Sequence, residues 1–457
     1  MSTDVIVLAA GKGTRMYSDK PKVLHTLAGK PMLSHVIDAA SAINADSIHL
    51  VTGFQSAQIR SYFEKNPADA TLNWVEQTEQ LGTGHAVMQA APAIADDKTV
   101  LVLYGDVPLI TPDSLQQLQT KAEQSGIAVL TLVTDSPTGL GRIIRDDSGQ
   151  ISAIVEEKDA SDEQKKITEI NTGIMAFSAG RLKQWLASLT TANAQGEYYL
   201  TDTVAIARND GCVVSSLQTH DHDEVQGVNN RLQLADLERN YQIRQARKLA
   251  LQGVTVRDPA RLDIRGSLQV GRDVCIDVNV ILEGHNRIGD RVVIGPNVTL
   301  IDCEIGDDCV ILANSHLEGS KLSMACTIGP FARLRPGTEL GSRAKIGNFV
   351  ETKKSKIGAG SKVNHLSYIG DASVDENVNI GAGTITCNYD GVNKYKTIIN
   401  SGVFVGSNTA LVAPVTIGRD ATIGAGSVIT SDVPENDLAV ARGKQKNITG
   451  WKRPVKN

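Results

Sequence analysis

"IGDRVVIGPNVTLIDCEIG", Ile288 to Gly306, carries an isoleucine–glycine pair at 288, 294 and 305. The pair recurs at Ile328, Ile346, Ile357, Ile369, Ile380, Ile417 and Ile423. Spacings are six residues or near multiples of six, and Val or Ile often returns on the same beat between them. This is an internal hexapeptide repeat. One aliphatic residue in six points inward, small residues let the chain turn, and glycine takes dihedrals that other residues resist. Three hexads make one triangular coil of a parallel β-helix, and coils stack about 4.8 Å apart through strand hydrogen bonds. Roughly ten coils of about 18 residues fit between Val254 and about Val433. Cys303 and Cys309, six apart, then occupy equivalent positions and read as packing residues.

The beat is irregular between Leu312 and Met324. It fails outright at Cys387–Lys396, "CNYDGVNKYK". A solenoid accommodates such an insertion as a protruding loop, and loops on one face of a solenoid commonly build its binding site. Residues 253–437 form the solenoid, and 438–457 leave it as a tail carrying Lys444, Lys446, Lys452, Arg453 and Lys456.

Upstream the pattern differs. Val5–Ala10, Ser47–Thr52, Thr99–Tyr104 and Gly126–Thr134 are apolar strands, and a helix runs from about Met32 to Ile43. Apolar strands spaced by helical segments indicate a mainly parallel α/β sheet, Rossmann-like, over residues 1–230. Ligands of such sheets bind outside the C-terminal strand ends. Arg231–Gln252 is proline-free and charged, with only loose helical spacing of its apolar residues, and reads as a connector helix over 231–252, with an ordinary domain-closing helix as the alternative.

At the first strand end stands "LAAGKGTRMYSDKPK", Leu8 to Lys22. A bare GxG followed by a helix is a tight turn as readily as a phosphate loop. Arg15, Lys22 and the Thr14 hydroxyl add cations and a donor, and unobstructed backbone N–H groups can approach a triphosphate. The full run L-A-A-G-x-G-T-R-M-x(5)-K resembles the signature of sugar-1-phosphate nucleotidyltransferases. Further pieces follow in order: Gln77 with Leu81-Gly-Thr-Gly84, Tyr104-Gly-Asp106, Gly139-Leu-Gly-Arg142, Val155-Glu156, Glu169-Ile-Asn-Thr-Gly173 and Gly227-Val-Asn229. The family's sugar run often has tyrosine where Leu140 stands, which bears on the packing around Gly141.

That resemblance implies a site for UTP and N-acetylglucosamine 1-phosphate. Leu8, Ala9, Ala10, Gly11, Gly13, Tyr104 and Gly105 line it. Arg15 and Lys22 stabilise the α-phosphate and the leaving pyrophosphate, and Asp106 and Asn229 hold Mg²⁺ through oxygen. Gln77, Gly82 and Thr83 read the uracil, and Gly141, Glu156 and Asn171 hold the sugar.

Within the solenoid, His365 lies in Val-Asn-His-Leu-Ser-Tyr368. It follows Gly347 by eighteen residues, one full coil, so the two are expected to stack and leave room beside the imidazole. An imidazole titrates near neutral pH and can take a proton from an amine. Hexapeptide solenoids resemble the acyltransferases that use acyl-CoA. These are left-handed, against the usual rule for parallel crossovers. The Arg335-Pro-Gly337 and Asn379–Gly391 stretches, with the first half, make the whole chain resemble the bacterial bifunctional N-acetylglucosamine-1-phosphate uridylyltransferase / glucosamine-1-phosphate N-acetyltransferase family.

This resemblance implies that His365 deprotonates the amine of glucosamine 1-phosphate, which then attacks acetyl-CoA. Arg335 and Lys353 grip the sugar phosphate, and Tyr368, Asn379 and Lys394 complete the sugar site. Ala382 offers a backbone N–H to the oxyanion. Asn388, Tyr389, Ser407, Ala425 and Arg442 line the coenzyme. It also implies a homotrimer with sites at junctions between chains, and a basic tail closing over a neighbour's CoA.

Composition sets the outer bounds. At 457 residues and a net charge of −5, two or more domains are expected and no nucleic-acid bias shows. No apolar run approaches a membrane span of roughly 20 residues. No secretory signal is read at the start, and six cysteines without CxxC pairs suit reduced thiols in a cytoplasmic chain. Two rivals remain from sequence. A glucose- or mannose-type nucleotidyltransferase with a scaffolding tail would not need Arg335, Lys353, His365, Tyr368 and Asn379 together. A non-catalytic assembly subunit should have lost Arg15, Lys22 or Asp106.

Overall fold

Thr3–Leu8 is the centre of the first half. Its Val5 and Val7 pack with Leu33, Ile37 and Ile48 on one side of the sheet, and Ile6 packs with Val87, Val102 and Trp185 on the other. A strand covered on both faces needs this unbroken apolar run, and each such side chain contributes about 1.5–3 kcal/mol on burial. The computed structural model describes residues 2–454, and the chain divides into two compact units, Met1–Tyr241 and Gln242–Asn457.

The first unit is a nine-stranded sheet between helices. Its main path runs Ser215–Thr219, Ile127–Val133, Glu169–Ser178, Thr99–Tyr104, Thr3–Leu8, Ser47–Thr52, Leu72–Glu76. Neighbours are parallel except Glu169–Ser178, which runs antiparallel to both strands beside it. The short strands Arg142–Arg145 and Ile151–Val155 pair antiparallel with each other, and the first joins Glu169–Ser178 at Ile170. The expected mainly parallel sheet is present, with this reversed strand as the addition. The helix Pro112–Ser125 shows how local chemistry sets the elements. Thr111 caps its start by accepting from the Ser114 N–H at 3.3 Å, proline opens it, and Gly126 ends it at φ 88°.

From Leu262 the second unit is a parallel β-helix with three stacked ladders. Ile294, Ile311, Ile328, Ile346, Val363, Ile380, Val405 and Ile423 form one buried column, in register from coil to coil. Ile288, Ile305, Leu322, Leu340, Ile357, Val374, Ile399 and Ile417 form a second. The three corners hold residues at positive φ, mostly Asn, Asp and Gly as that region demands. At one corner Asn279, Asn297 and Asn314 form a side-chain ladder at 2.9 and 3.1 Å. Phe331, Phe349 and Leu366 continue it, exposed and also at positive φ.

The coil persists through the irregular stretch 312–324, where His316–Glu318 pairs with Thr299–Ile301 and with Arg333–Leu334. Cys387 still pairs in register with Val412, so the insertion expected over Cys387–Lys396 leaves the ladder only from Asn388, folded back by a Tyr389–Lys394 bridge. Cys303 and Cys309 are fully buried, and burial pushes the Cys303 thiol up to about 11, which suits packing rather than redox chemistry. Residues 443–454 of the tail are exposed and outside helix and strand, and Lys456 lies outside the described residues. No described helix is long and apolar enough to cross a membrane.

The helix Arg231–Leu251 belongs to both units by sequence. Leu237 is buried with Leu27, Met32, Leu109 and Val228 of the first. Gln242, buried, bonds both the N–H (2.8 Å) and the C=O (2.9 Å) of Ile264 in the second, and Ala246 and Leu249 join the solenoid core. Its apolar spacing is loose because its two halves serve two cores.

Candidate active sites

In the first unit, three strand ends converge. Leu8, Ala9, Ala10 and Gly11 line a cavity of about 260 Å³ with Lys22, Gln77, Gly82, Thr83, Tyr104 and Asp106. The loop is held by Ala9 N–H to Val51 O at 2.8 Å and Gly105 N–H to Leu8 O at 3.0 Å. No α-helix follows Gly13 directly; Thr14–Met16 and Lys22–Leu24 are single 3₁₀ turns. Any phosphate-binding N–H groups there come from the loop itself rather than from a helix start. Gly13 sits at φ 59°, and a Cβ there would lie 2.6 Å from Lys22 Cβ, so the lysine stem packs against the glycine.

Lys22 Nζ pairs with Asp106 Oδ2 and reaches Asn229 Oδ1 at 3.3 Å, while Arg15 Nη2 donates to the same Asn229 oxygen at 3.0 Å. Val228 N–H to Asp106 O, 2.9 Å, ties the two acceptors' segments together. Two acceptor oxygens, which to a metal would be donor atoms, thus converge on one ammonium. That donor set fits a hard divalent ion completed by water and phosphate oxygens. Among the described residues no cluster of three His, Cys, Asp or Glu could hold a metal without such help.

Beyond Tyr104 lies the second half of this site. Asn171 N–H donates to Gly141 O at 2.8 Å, Asn171 Oδ1 accepts from Gly173 N–H at 3.0 Å, and Glu156 accepts from Thr201 Oγ1 at 3.0 Å. A Cβ on Gly141 would come within 3.3 Å of the Glu156 carboxylate, so these residues are neighbours. Burial raises the Glu156 pKa, and Asp202 and Asp159 add to the rise. Burial likewise raises Tyr104, which feels both Glu156 and Asp106 and so stands between the two clusters. Leu140 is exposed, and its carbonyl accepts from the buried Arg142 guanidinium, itself paired with Glu157 at 2.7 Å.

Several contacts here had no sequence signal. Gln77 Nε2 bonds Gly82 O at 3.2 Å, and Gln80 Nε2 bonds Ala10 O at 2.8 Å, which joins the 77–84 loop to the opening loop. Glu197 also lines the cavity, and Leu200 N–H donates to Thr83 Oγ1 at 3.2 Å. Gln80 sits in an otherwise ordinary polar run, so only the fold reveals it.

In the second unit, one corner column collects five of the twelve acetyl-transfer candidates. Asn348 pairs in register with His365. Gly383 N–H donates to His365 O at 3.3 Å, which sets Ala382 beside His365 in the next coil. Asn408 N–H donates to Ala382 O at 2.7 Å and Gly426 N–H to Ser407 O at 2.8 Å. Arg442 Nη1 donates to Ala425 O at 2.6 Å. His365, Ala382, Ser407, Ala425 and Arg442 therefore climb the solenoid one coil at a time.

The expected stacking of Gly347 on His365 does not occur. The step here is seventeen residues, so His365 lies on Asn348, and its Nδ1 is 2.6 Å from Asn348 Oδ1. Gly347 faces Asn364, where a Cβ would fall 1.9 Å from the Asn364 carbonyl oxygen. The glycine serves the close approach of two backbones, not the ring.

On the adjoining face, Arg335 pairs with Glu351 at 2.9 Å, and Glu351 is the register partner of Tyr368. Lys394, delivered by the inserted loop, lies against Lys353 and lowers its pKa, with a further contribution from Arg335. Three cations crowd one face, as a dianion would require. Tyr368 Oη lies over Gly370, where a Cβ would be 2.3 Å away. Asn388 donates to Asp371 and is nearly buried, while Tyr389 is exposed and folds onto Gly391. Asn379 stands apart from this face, on the ladder between Lys362 and Phe404. Glu351 was not anticipated; an acidic residue beside a phosphate site runs against the charge argument that finds the others.

Comparison with known proteins agrees with this division. Residues 5–172 match the MobA-like NTP transferase domain. Residues 285–317 match the hexapeptide repeat of succinyl-transferase, and 396–431 the bacterial transferase hexapeptide (six repeats). A bifunctional protein GlmU from Marinobacter nauticus is 57% identical over 452 residues, spanning 99% of each chain. Among solved structures, a UDP-glucose pyrophosphorylase complexed with UDP-glucose covers 53% of this chain and 98% of its own at TM-score 0.45 and 17% identity. HddC from Yersinia pseudotuberculosis covers 52% and 99% at TM-score 0.41 and 18% identity.

Proposed function

The chain belongs to the family of the bifunctional protein GlmU, a nucleotidyltransferase joined to a hexapeptide-repeat acetyltransferase, and from that premise we propose that it makes UDP-N-acetylglucosamine in two separate steps. The observation that carries the reading is that each unit holds its own constellation of reactive groups. Cations and oxygen donors meet at the strand ends, and an imidazole column with a cationic face stands on the solenoid.

In the first step the glucosamine 1-phosphate nitrogen attacks the acetyl-CoA carbonyl carbon. The new C–N bond forms, the C–S bond breaks, and the amine proton passes to His365 while the CoA sulfur leaves. Arg335, Lys353 and Lys394 hold the sugar phosphate, with Tyr368 on the sugar; Asn379, apart from this face within one chain, meets the sugar from a neighbouring chain of the homotrimer. The Ala382 N–H faces the carbonyl oxygen as charge develops there. Asn388, Tyr389, Ser407, Ala425 and Arg442 hold the coenzyme.

In the second step a phosphate oxygen of N-acetylglucosamine 1-phosphate attacks the UTP α-phosphorus, and pyrophosphate leaves with the broken P–O bond. Such transfer needs positioning and charge neutralisation more than covalent help. Arg15 and Lys22 meet the phosphates, Gln77, Gly82 and Thr83 read the base, and Gly141, Glu156 and Asn171 orient the sugar. Asp106 and Asn229 would hold Mg²⁺, which would offset phosphate charge, with the Lys22 ammonium on the phosphates. Work in the cytoplasm as a homotrimer built on the solenoid completes the proposal.

Thiol release and pyrophosphate release, followed separately with glucosamine 1-phosphate, acetyl-CoA, UTP and Mg²⁺, test it. Both are expected, with thiol release independent of UTP. His365→Ala should lower thiol release by roughly a hundredfold or more and spare uridylyl transfer, and Asp106→Ala the reverse. Loss of both activities in either variant, with the fold kept, would sink the two-site reading.

A further inference from the structure

We propose that Asn348 is the positioning residue of the acetyl-transfer base: its side-chain oxygen holds the His365 imidazole with the proton on Nδ1 and the lone pair on Nε2. The inference rests on the acetyltransferase reading above and adds to it a group that no charge or motif points to.

Three observations carry it. His365 Nδ1 lies 2.6 Å from Asn348 Oδ1. An amide oxygen only accepts, so this contact requires Nδ1–H and leaves Nε2 free to take the amine proton. Secondly, the pair is fixed by the backbone. Lys345–Asn348 and Lys362–His365 are four-residue strands in a ladder whose flanking strands Thr327–Ile328 and Asn379–Ile380 have two, and the extension ends on this pair. Thirdly, the coils touch most closely one residue earlier, where Gly347 has no room for a Cβ against the Asn364 carbonyl. That contact sets the register that brings Asn348, rather than its neighbour, under the ring. The other end of the residue is held too, since the His365 carbonyl accepts from Ser367 Oγ at 2.8 Å and Gly383 N–H at 3.3 Å.

The neutrality of the acceptor matters. A carboxylate in this position would favour the imidazolium and keep the base protonated near neutral pH. An amide fixes the tautomer without that penalty. The titratable groups on the packed elements are Lys345 and Lys362 on the paired strands and Glu351 and Tyr368 on the next face; the ring's hydrogen bond goes to Asn348.

Long-range ¹⁵N–¹H spectra of the full-length protein give the tautomer without any turnover, with His365→Gln identifying the signal. Expected are Nδ1–H in the wild type and loss of that preference in Asn348→Ala. An Nε2–H wild type, or one tautomer shared by both proteins, overturns the inference whatever the fate of the function above. In turnover, Asn348→Ala should lower kcat for acetyl transfer by roughly ten- to a hundredfold with both KM values within about twofold. Asn348→Asp keeps an acceptor, so it should recover kcat at high pH while the acid limb of its kcat/KM profile moves upward. An unchanged kcat in Asn348→Ala, or an unmoved acid limb in Asn348→Asp, rejects the assignment.

Discussion

Glu156 shows how a single side chain trades stability for function. Burial, then Asp202 and Asp159, hold its pKa above the ordinary carboxylate value. A carboxyl that binds its proton more tightly when folded adds stability below its unfolded pKa, and that stability is lost as pH rises through the folded pKa. At neutral pH the ionised form is therefore a burden. Glu156→Gln should raise the denaturation midpoint of the first unit at pH 7, read by fluorescence of the buried Trp185. The gain should vanish below about pH 4.5. The same variant should weaken uridylyl transfer, since an amide cannot replace the carboxylate as acceptor on both oxygens. A gain that persists in acid would contradict the burial argument.

At the scale of elements, the inserted loop 387–396 is a device for delivering one lysine. Lys394 returns to the cationic face only because Tyr389 bridges it and Asp390 caps the Val392 and Asn393 N–H groups at 2.8 and 2.6 Å. Lys394→Ala should raise KM for glucosamine 1-phosphate roughly tenfold and flatten its salt dependence, while relieving the depressed pKa of Lys353. Initial rates at two salt concentrations check this; an unaltered salt response would place the lysine outside the phosphate site. The loop itself was legible as a failure of the hexad. So were the two columns of aliphatic residues and the strand ends at Leu8 and Tyr104, because periodicity and apolar runs report burial directly. What could not be read was register. Apart from the coil with the insertion, coils are seventeen or eighteen residues long in no fixed order, so counting from His365 reached Gly347 and missed Asn348, whose role depends on that single step. The reversed strand Glu169–Ser178 was hidden for a similar reason: its residues are apolar enough for the core whichever way they run.

Over the whole molecule, the helix Arg231–Leu251 contributes to two separate cores, which are expected to denature as separate units. Leu237→Ala should destabilise the first by about 2–5 kcal/mol, seen in Trp185 fluorescence. Five residues on, Gln242→Ala should strip the Ile264 backbone of both partners at a cost of about 1–3 kcal/mol for each group, seen as faster thermal loss of acetyl transfer. If either variant shifted both transitions equally, the units would not be independent. The solenoid adds something a globular sheet lacks. His365, Ala382, Ser407, Ala425 and Arg442 rise one coil at a time, at about 4.8 Å per step. Distance from the base to the far end of the coenzyme face is thus counted in whole coils. The protein carries a ruler graduated by its own repeat, and deleting or duplicating one coil above His365 would change the length of acyl carrier it measures by one graduation, leaving the chemistry at the zero mark untouched.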